Sequence, residues 1–354
     1  MKNILWIGLL LCLSAGSRAQ SLTLQQYRQR VLDYNQEIKQ SQEAVNAAIY
    51  ALKSVKTGFF PKVDITGSYS YQIENVTFMP GTDLKHDNYS AEAGLVQNIY
   101  AGSAVRKQYE AARLQEAIAR LGEEYTVDNI LYAADVNYWT VVANRNLYDI
   151  ADRFVNIVSE LFDVVGKRFT EGAISKTDVL MVQSRLKEAE VQLNTSATNY
   201  RTSLQTLNIM MGIAADTDTG LADSIQHISA LPLRQEVDVA LKKRPDYLMA
   251  EQDIELARVQ TRLMKASYLP NLAVGIKEKW GTTLINIDGD KRFSTIAFAN
   301  LNIPVFYWGK RRQDVRVSEV QEQMKELERS KLSDQISLEL NNAWVNLTES
   351  LKKV

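Results

Sequence analysis

The stretch "GFFPKVDITGSYSYQ", residues 58 to 72, sits between two long segments of helical pattern and reads like neither. From Val63 the apolar or aromatic positions are Val63, Ile65, Tyr69, Tyr71 and Ile73, with Gly67 among them. Asp64, Thr66, Ser68, Ser70 and Gln72 fill the alternate places. A period of two marks a strand with one greasy and one wet face. A chain dominated by helical patterns has no obvious use for a strand so long and so cleanly divided.

Composition narrows the possible uses. The 354 residues are 45% hydrophobic and 23% charged, with only 6 Pro and 16 Gly, an ordered and helix-rich balance long enough for one large or two ordinary domains. Residues 1–19 read as a signal peptide: Lys2 supplies a positive start, "ILWIGLLLCL" a short apolar core, and Ser17 and Ala19 the small residues that a signal peptidase reads. Cys12 is a poor lipid anchor, because Leu11 precedes it where a small residue is needed. It is also the only cysteine, so the chain without its leader can form no disulfide and no thiolate metal site. Loss of Lys2 and Arg18 leaves 39 basic against 42 acidic side chains, which argues against a nucleic-acid partner. After Gln20 no apolar run is long enough for a transmembrane helix, so any passage through a membrane would be as a barrel.

The strand recurs. Residues 35–63, "NQEIKQSQEAVNAAIYALKSVKTGFFPKV", align without a gap over 244–272, "RPDYLMAEQDIELARVQTRLMKASYLPNL", at an offset of 209. Val45 meets Ile254, Lys56 meets Lys265, Phe60 meets Leu269 and Pro61 meets Pro270. Each copy is a helix ended at a proline step. After Pro270, Leu272, Val274, Ile276 and Trp280 share one face, although Glu278 interrupts it. A polar loop, "GTTLINIDGDKR", leads to a return strand with Thr295, Ala297, Ala299, Leu301 and Ile303 on one face. In the first copy the return is "NYSAEAGLVQNIYAGS", residues 88 to 103. Aromatic residues gather near the strand ends, and the lengths suit tilted membrane strands. Four strands cannot close a barrel alone, so several chains must share one.

Between the strand pairs runs a long helical hairpin. From Ser103 to about Val165 there is no proline, which allows one helix of roughly 90 Å. Leu147, Ile150, Phe154, Ile157, Leu161 and Val164 alternate steps of three and four, as do Val179, Val182, Leu186, Ala189 and Leu193, so both rows read as coiled-coil seams. Between them Gly172 can end one helix and Ser175 can cap the next.

No active site emerges. His86 and His227 are far apart in sequence and have no carboxylates at ligand spacing, and there is no phosphate loop or nucleophile elbow. Asp178 could serve as a general acid or base, but one turn into a helix a dipole or helix–helix role suits it better. We therefore expect no catalytic, metal-ligating or cofactor-binding residues.

The helix-to-strand steps "FFPKV" and "YLPNL", the strand-to-helix steps "QNIYAGS" and "IPVFYWGK", the segment "KKRPDYLMAEQDIELARVQ" and the tip "RFTEGAISKTDVLMVQSRL" resemble the TolC-like outer-membrane efflux proteins. The match runs over almost the whole chain after the leader. Asn98 and Ser103 depart from it, standing where that family usually has proline and often has a second glycine.

The resemblance implies a mainly α protein with membrane β-structure. Three copies would each give four strands to one outer-membrane β-barrel, continued by an α-barrel tunnel through the periplasm. It implies a passive exit duct for small molecules or proteins in a tripartite efflux or type I secretion system. The partners would be a periplasmic adaptor (membrane fusion protein), an inner-membrane transporter of the RND, ABC or MFS class, and outer-membrane lipid. It places adaptor docking at Gly172, Ile174 and Ser175 and entrance gating at Thr177 and Asp178. Val63, Ile65, Tyr69, Tyr71, Leu272, Val274, Ile276 and Trp280 would face lipid. The rival class is a periplasmic coiled-coil adaptor or structural protein without a barrel.

We expect a first structural repeat over 20–237, with strands at about 63–73 and 88–99, a hairpin 103–212 with its tip at 166–178, and an equatorial segment 213–237. A second repeat over 238–354 is expected to have strands at about 272–280 and 293–305 and the start of a long helix at 309–354. Its own tip would fall at about position 378, which implies that roughly 80 to 100 residues follow in a longer chain.

Overall fold

The computed structural model describes residues 21–225, 231–282 and 286–352; the expected leader and His227 lie outside them. In chain order the elements are α1 (Leu24–Tyr34), α2 (Gln36–Lys56), β1 (Lys62–Tyr71), β2 (Thr77–Met79), β3 (Thr82–Asp83) and β4 (Asp87–Ala101). Then follow α3 (Ala104–Thr170), α4 (Lys176–Met210), α5 (Val237–Leu241) and α6 (Pro245–Ala266). After these come β5 (Asn271–Thr282), β6 (Lys291–Asn302) and α7 (Lys310–Lys352). Capping sets several of the boundaries. Thr23 and Gln26 form a capping box at the start of α1, and Pro245 opens α6 where its missing N–H costs nothing.

Two compact units cut across the two sequence copies: one comprises the residues up to Lys39 with Thr126–Pro232, the other Gln40–Tyr125 with Leu233 onward. In the first unit Tyr27 and Val31 of α1, Tyr138, Val141 and Val142 of α3, and Leu207 of α4 are fully buried in one cluster. Burial pushes the Tyr27 hydroxyl pKa up to about 12. Polar groups fasten the following segment to this core. The Tyr138 hydroxyl lies 2.7 Å from both the Leu22 carbonyl and the Asp223 carboxylate, and Arg145 donates to the Leu221 and Asp223 carbonyls at 2.9 Å. Buried Asn208 donates to the Ala215 and Thr217 carbonyls and accepts from Thr219. Gly212 has φ of 74° and the Tyr34 ring only 2.3 Å from where a Cβ would stand, so no other residue fits there.

The hairpin seam differs from the expected one. On α3 Ala151 and Val158 are buried and Val155, Phe162 and Val165 half-buried; on α4 Ala189 and Ser196 are buried and Val182 and Leu186 half-buried. The row Leu147, Ile150, Phe154, Ile157, Leu161 and Val164, read as the seam, is exposed instead. This part of α3 carries two adjacent apolar rows with the same heptad spacing, and spacing alone does not say which one an intramolecular partner covers.

In the second unit β1, β4, β5 and β6 form one antiparallel sheet in that order, so the two sequence copies give two strands each. β1 stops at Tyr71, short of the expected end at Ile73. β6 stops at Asn302 rather than at residue 305: Asn302 pairs with Asn271, the first residue of β5, and the next position on that side is Pro270, which has no N–H for the ladder. β4 runs to Ala101 through a bulge between Asn98 and Tyr100. The strand-to-helix steps are alike in both copies, each with two successive left-handed residues: Gly102 and Ser103 at φ 57° and 68°, Trp308 and Gly309 at 50° and 82°. α6 and α7 are joined by a ladder of ion pairs, Arg244–Glu339 (2.7 Å), Arg258–Glu326 (2.9 Å), Arg258–Glu322 (3.2 Å) and Lys265–Glu319 (3.0 Å). Such half-exposed pairs add little stability singly, but the ladder fixes the sliding register of the two helices.

Candidate functional site

Residues opposite one another in an antiparallel ladder share a face, so the register carries the two-faced pattern of β1 across the sheet. One row is Val63–Leu95–Ile276–Ala297, the next Ile65–Ala93–Glu278–Thr295, and the next Gly67–Ala91–Trp280–Phe293. Tyr69 with Tyr89, and on the other side Val274 with Ala299 and Leu272 with Leu301, belong to the same face. All eight residues expected toward lipid therefore stand on one surface. Ile65 is 80% exposed there, an arrangement unfavourable in water for so large an apolar side chain. Glu278 interrupts this surface, and its carboxylate accepts a 2.5 Å hydrogen bond from the hydroxyl of Thr295 across the strand pair.

The opposite surface carries Asp64, Thr66, Ser68 and Ser70 from β1, Ser90 and Glu92 from β4, Lys277 and Lys279 from β5, and Arg292 and Ser294 from β6. Ser68 and Ser90 hydroxyls are 2.9 Å apart, and Lys277 pairs with Glu92 at 2.8 Å. Phe298 also lies on this face, covering the backbone of Gly275, where a Cβ would come within 2.5 Å of the ring. The alternation of β6 that sets Ala297 and Ala299 on the first face sets Ile296 and Phe298 on this one, opposite Lys277 and Gly275, so the polar face carries an apolar patch there. The outer strands β1 and β6 have no ladder partner on their free edges among the described residues.

At the hairpin tip, Gly172 takes φ 77° and its N–H bonds the Phe169 carbonyl, while the Ala173 N–H bonds that of Arg168, closing the end of α3. Nothing stands within 4 Å of a Cβ placed on Gly172, so backbone conformation and not crowding requires the glycine. Ser175 caps α4 and Asp178 answers it. The Ser175 hydroxyl accepts from the Asp178 N–H, and the Asp178 carboxylate accepts from the Ser175 N–H at 3.0 Å and hydroxyl at 2.8 Å. These hydrogen bonds hold the Asp178 carboxyl below its ordinary range. Thr177 is exposed and Ile174 half-buried. Turn and cap chemistry marked Gly172 and Ser175 in the sequence, whereas Ile174, Thr177 and Asp178 came from the family resemblance; the reciprocal bond to Ser175 gives Asp178 a role within its own helix.

Among the described residues no group of His, Cys, Asp or Glu could hold a metal, and no helix is long and apolar enough to cross a membrane.

The two-faced sheet with free edges and the capped helical hairpin have known counterparts. The chain belongs to the outer membrane efflux protein family, whose model matches residues 27–213. It is 22% identical over 333 residues to the outer membrane efflux protein BepC of Brucella suis biovar 1 (strain 1330), covering 94% of this chain and 71% of that protein. In fold it is similar to the outer-membrane channel OprN, with a TM-score of 0.78 at 16% identity over 93% of this chain and 75% of that one. It is likewise similar to the open state of the MtrE outer membrane channel of Neisseria gonorrhoeae, with a TM-score of 0.70 at 13% identity over 92% and 75% of the two chains. The fold is thus that of the TolC-like channels. The chain is an outer-membrane efflux channel protein and not an enzyme.

Proposed function

We propose that three copies of this chain build one outer-membrane duct. Each gives β1, β4, β5 and β6 to a shared barrel whose apolar face meets lipid and whose polar face lines a water-filled lumen. The helices continue the duct into the periplasm. The observation that carries this reading is the sheet itself: four strands with one apolar face, one polar face and two free edges are stable in a bilayer only when the edges find partners. The exposed row from Leu147 to Val164 is a second surface that neighbouring copies would cover.

Cargo, small molecules or proteins, is handed to the duct by a periplasmic adaptor and an inner-membrane transporter of the RND, ABC or MFS class. Gly172, Ile174 and Ser175 present the docking turn. Thr177 and Asp178 border the entrance, where Asp178 first keeps the turn rigid and only then offers charge to a neighbour. No cofactor takes part. The test is to purify the protein from outer membranes and record gel migration with and without heating, then conductance in planar bilayers. A heat-labile trimer with discrete conductance steps is expected; a soluble monomer without conductance would refute the reading.

A further inference from the structure

Where β6 gives way to α7 a cavity of about 620 Å³ opens at the helix-side end of the sheet. Its lining includes the aromatic residues Phe306 and Tyr307, the cations Lys265, Arg311, Arg312 and Arg316, and one carboxylate, Glu319. Lys265 is engaged by Glu319 at 3.0 Å, and the neighbouring carboxylate of Asp314 is engaged by Lys310. Among the described residues no carboxylate lies within ion-pair distance of Arg311, Arg312 or Arg316. Three unpartnered guanidiniums lining one cavity repel one another and call for an anion.

We infer that this cavity binds the headgroup of an anionic phospholipid in the periplasm-facing leaflet. The inference rests on the membrane reading above, which puts the end of the apolar face here. Ile303 and Val305 are exposed just before the cavity, and Phe306, Tyr307 and Trp308 stand where aromatic residues mark a bilayer interface. Guanidinium forks match phosphate oxygens and the rings lie along the first acyl carbons. A neighbouring copy joined edge to edge would not neutralise the arginines. The helix-side end of β1 that would approach them brings Lys56, Lys62 and Asp64, together with exposed Phe59 and Phe60. A second copy therefore adds more cations than carboxylates, and the lipid supplies the remaining counter-charge.

The experiment is native mass spectrometry of the purified protein exchanged into bilayer nanodiscs of equal parts phosphatidylglycerol and phosphatidylcholine. Retention of phosphatidylglycerol over phosphatidylcholine by about tenfold or more is expected. The combined variant Arg311→Gln, Arg312→Gln, Arg316→Gln is expected to bring that ratio to near one, each single substitution to lower it in part, and Arg292→Gln, on the polar sheet face, to leave it unchanged. Equal retention of the two lipids by the unaltered protein, or a preference that survives the triple substitution, would overturn the site alone. A protein that does not enter bilayers would overturn the barrel reading and the site with it.

Discussion

Ser103 holds φ at 68°, a conformation that costs a residue with a Cβ about 1 to 2 kcal/mol and costs glycine almost nothing. Ser103→Gly should therefore stabilise the protein by about 1 kcal/mol, visible as a higher melting temperature; an unchanged melt would show that the step relaxes in solution. At the tip, Ser175→Ala removes the cap of α4 and should cost about 1 kcal/mol locally, speeding amide exchange over residues 172–180 about fivefold without affecting the sheet. Asp178 adds a pH dependence. Its folded pKa lies below the ordinary 3.8, so the ionised carboxylate contributes at neutral pH, and the contribution is lost as pH falls through the depressed value. A peptide of residues 166–190 should lose helix on such acidification, and more steeply than its Asp178→Asn counterpart by circular dichroism. Equal titrations would remove Asp178 from the cap. Gly172 and Ser175 were legible in the sequence because turn and cap chemistry is local. The strain at Ser103 was not legible from the residue itself, since nothing in a serine announces a positive φ; its only trace was the departure from a glycine that the resembling family often has there.

At the scale of the element, a period of two is a strong signal, and the register extends it faithfully. Arginine in place of Ile65 should impair assembly in the membrane, costing about 2 to 4 kcal/mol near mid-bilayer, whereas arginine in place of Thr66 should assemble and change conductance. Equal yields of membrane trimer from the two variants would contradict the assignment of faces. The helical hairpin was legible as an element but not in its packing. α3 has apolar residues on two adjacent rows, and only the structure separates Val158, which is buried, from Ile157, which is not. Val158→Asp should unfold the hairpin by burying an unpaired charge, while Ile157→Asp should leave the single chain folded and block association of copies. Circular dichroism paired with sedimentation separates these outcomes. Indistinguishable behaviour would mean that neither row is dedicated to a partner.

At the scale of the whole molecule, the duplication explains why one chain supplies four strands, and family membership fixes the setting in the outer membrane. The strand order β1-β4-β5-β6 follows from two hairpins laid side by side, and it leaves one edge from each copy free. The closure by other chains proposed above would be the step from fold to function, and under it the two faces of β1 would meet different solvents. Cys12 is the only native cysteine, so with Cys12→Ser in place single cysteines can be introduced at each position from Val63 to Tyr71 and read without interference. With protein reconstituted in bilayers, a charged water-soluble maleimide should label positions 64, 66, 68 and 70 quickly and positions 63, 65, 69 and 71 slowly, while a fluorophore at the latter set should be quenched by brominated lipid. Labelling with no period of two, or quenching on both faces, would contradict a strand that stands between lipid and a water-filled lumen.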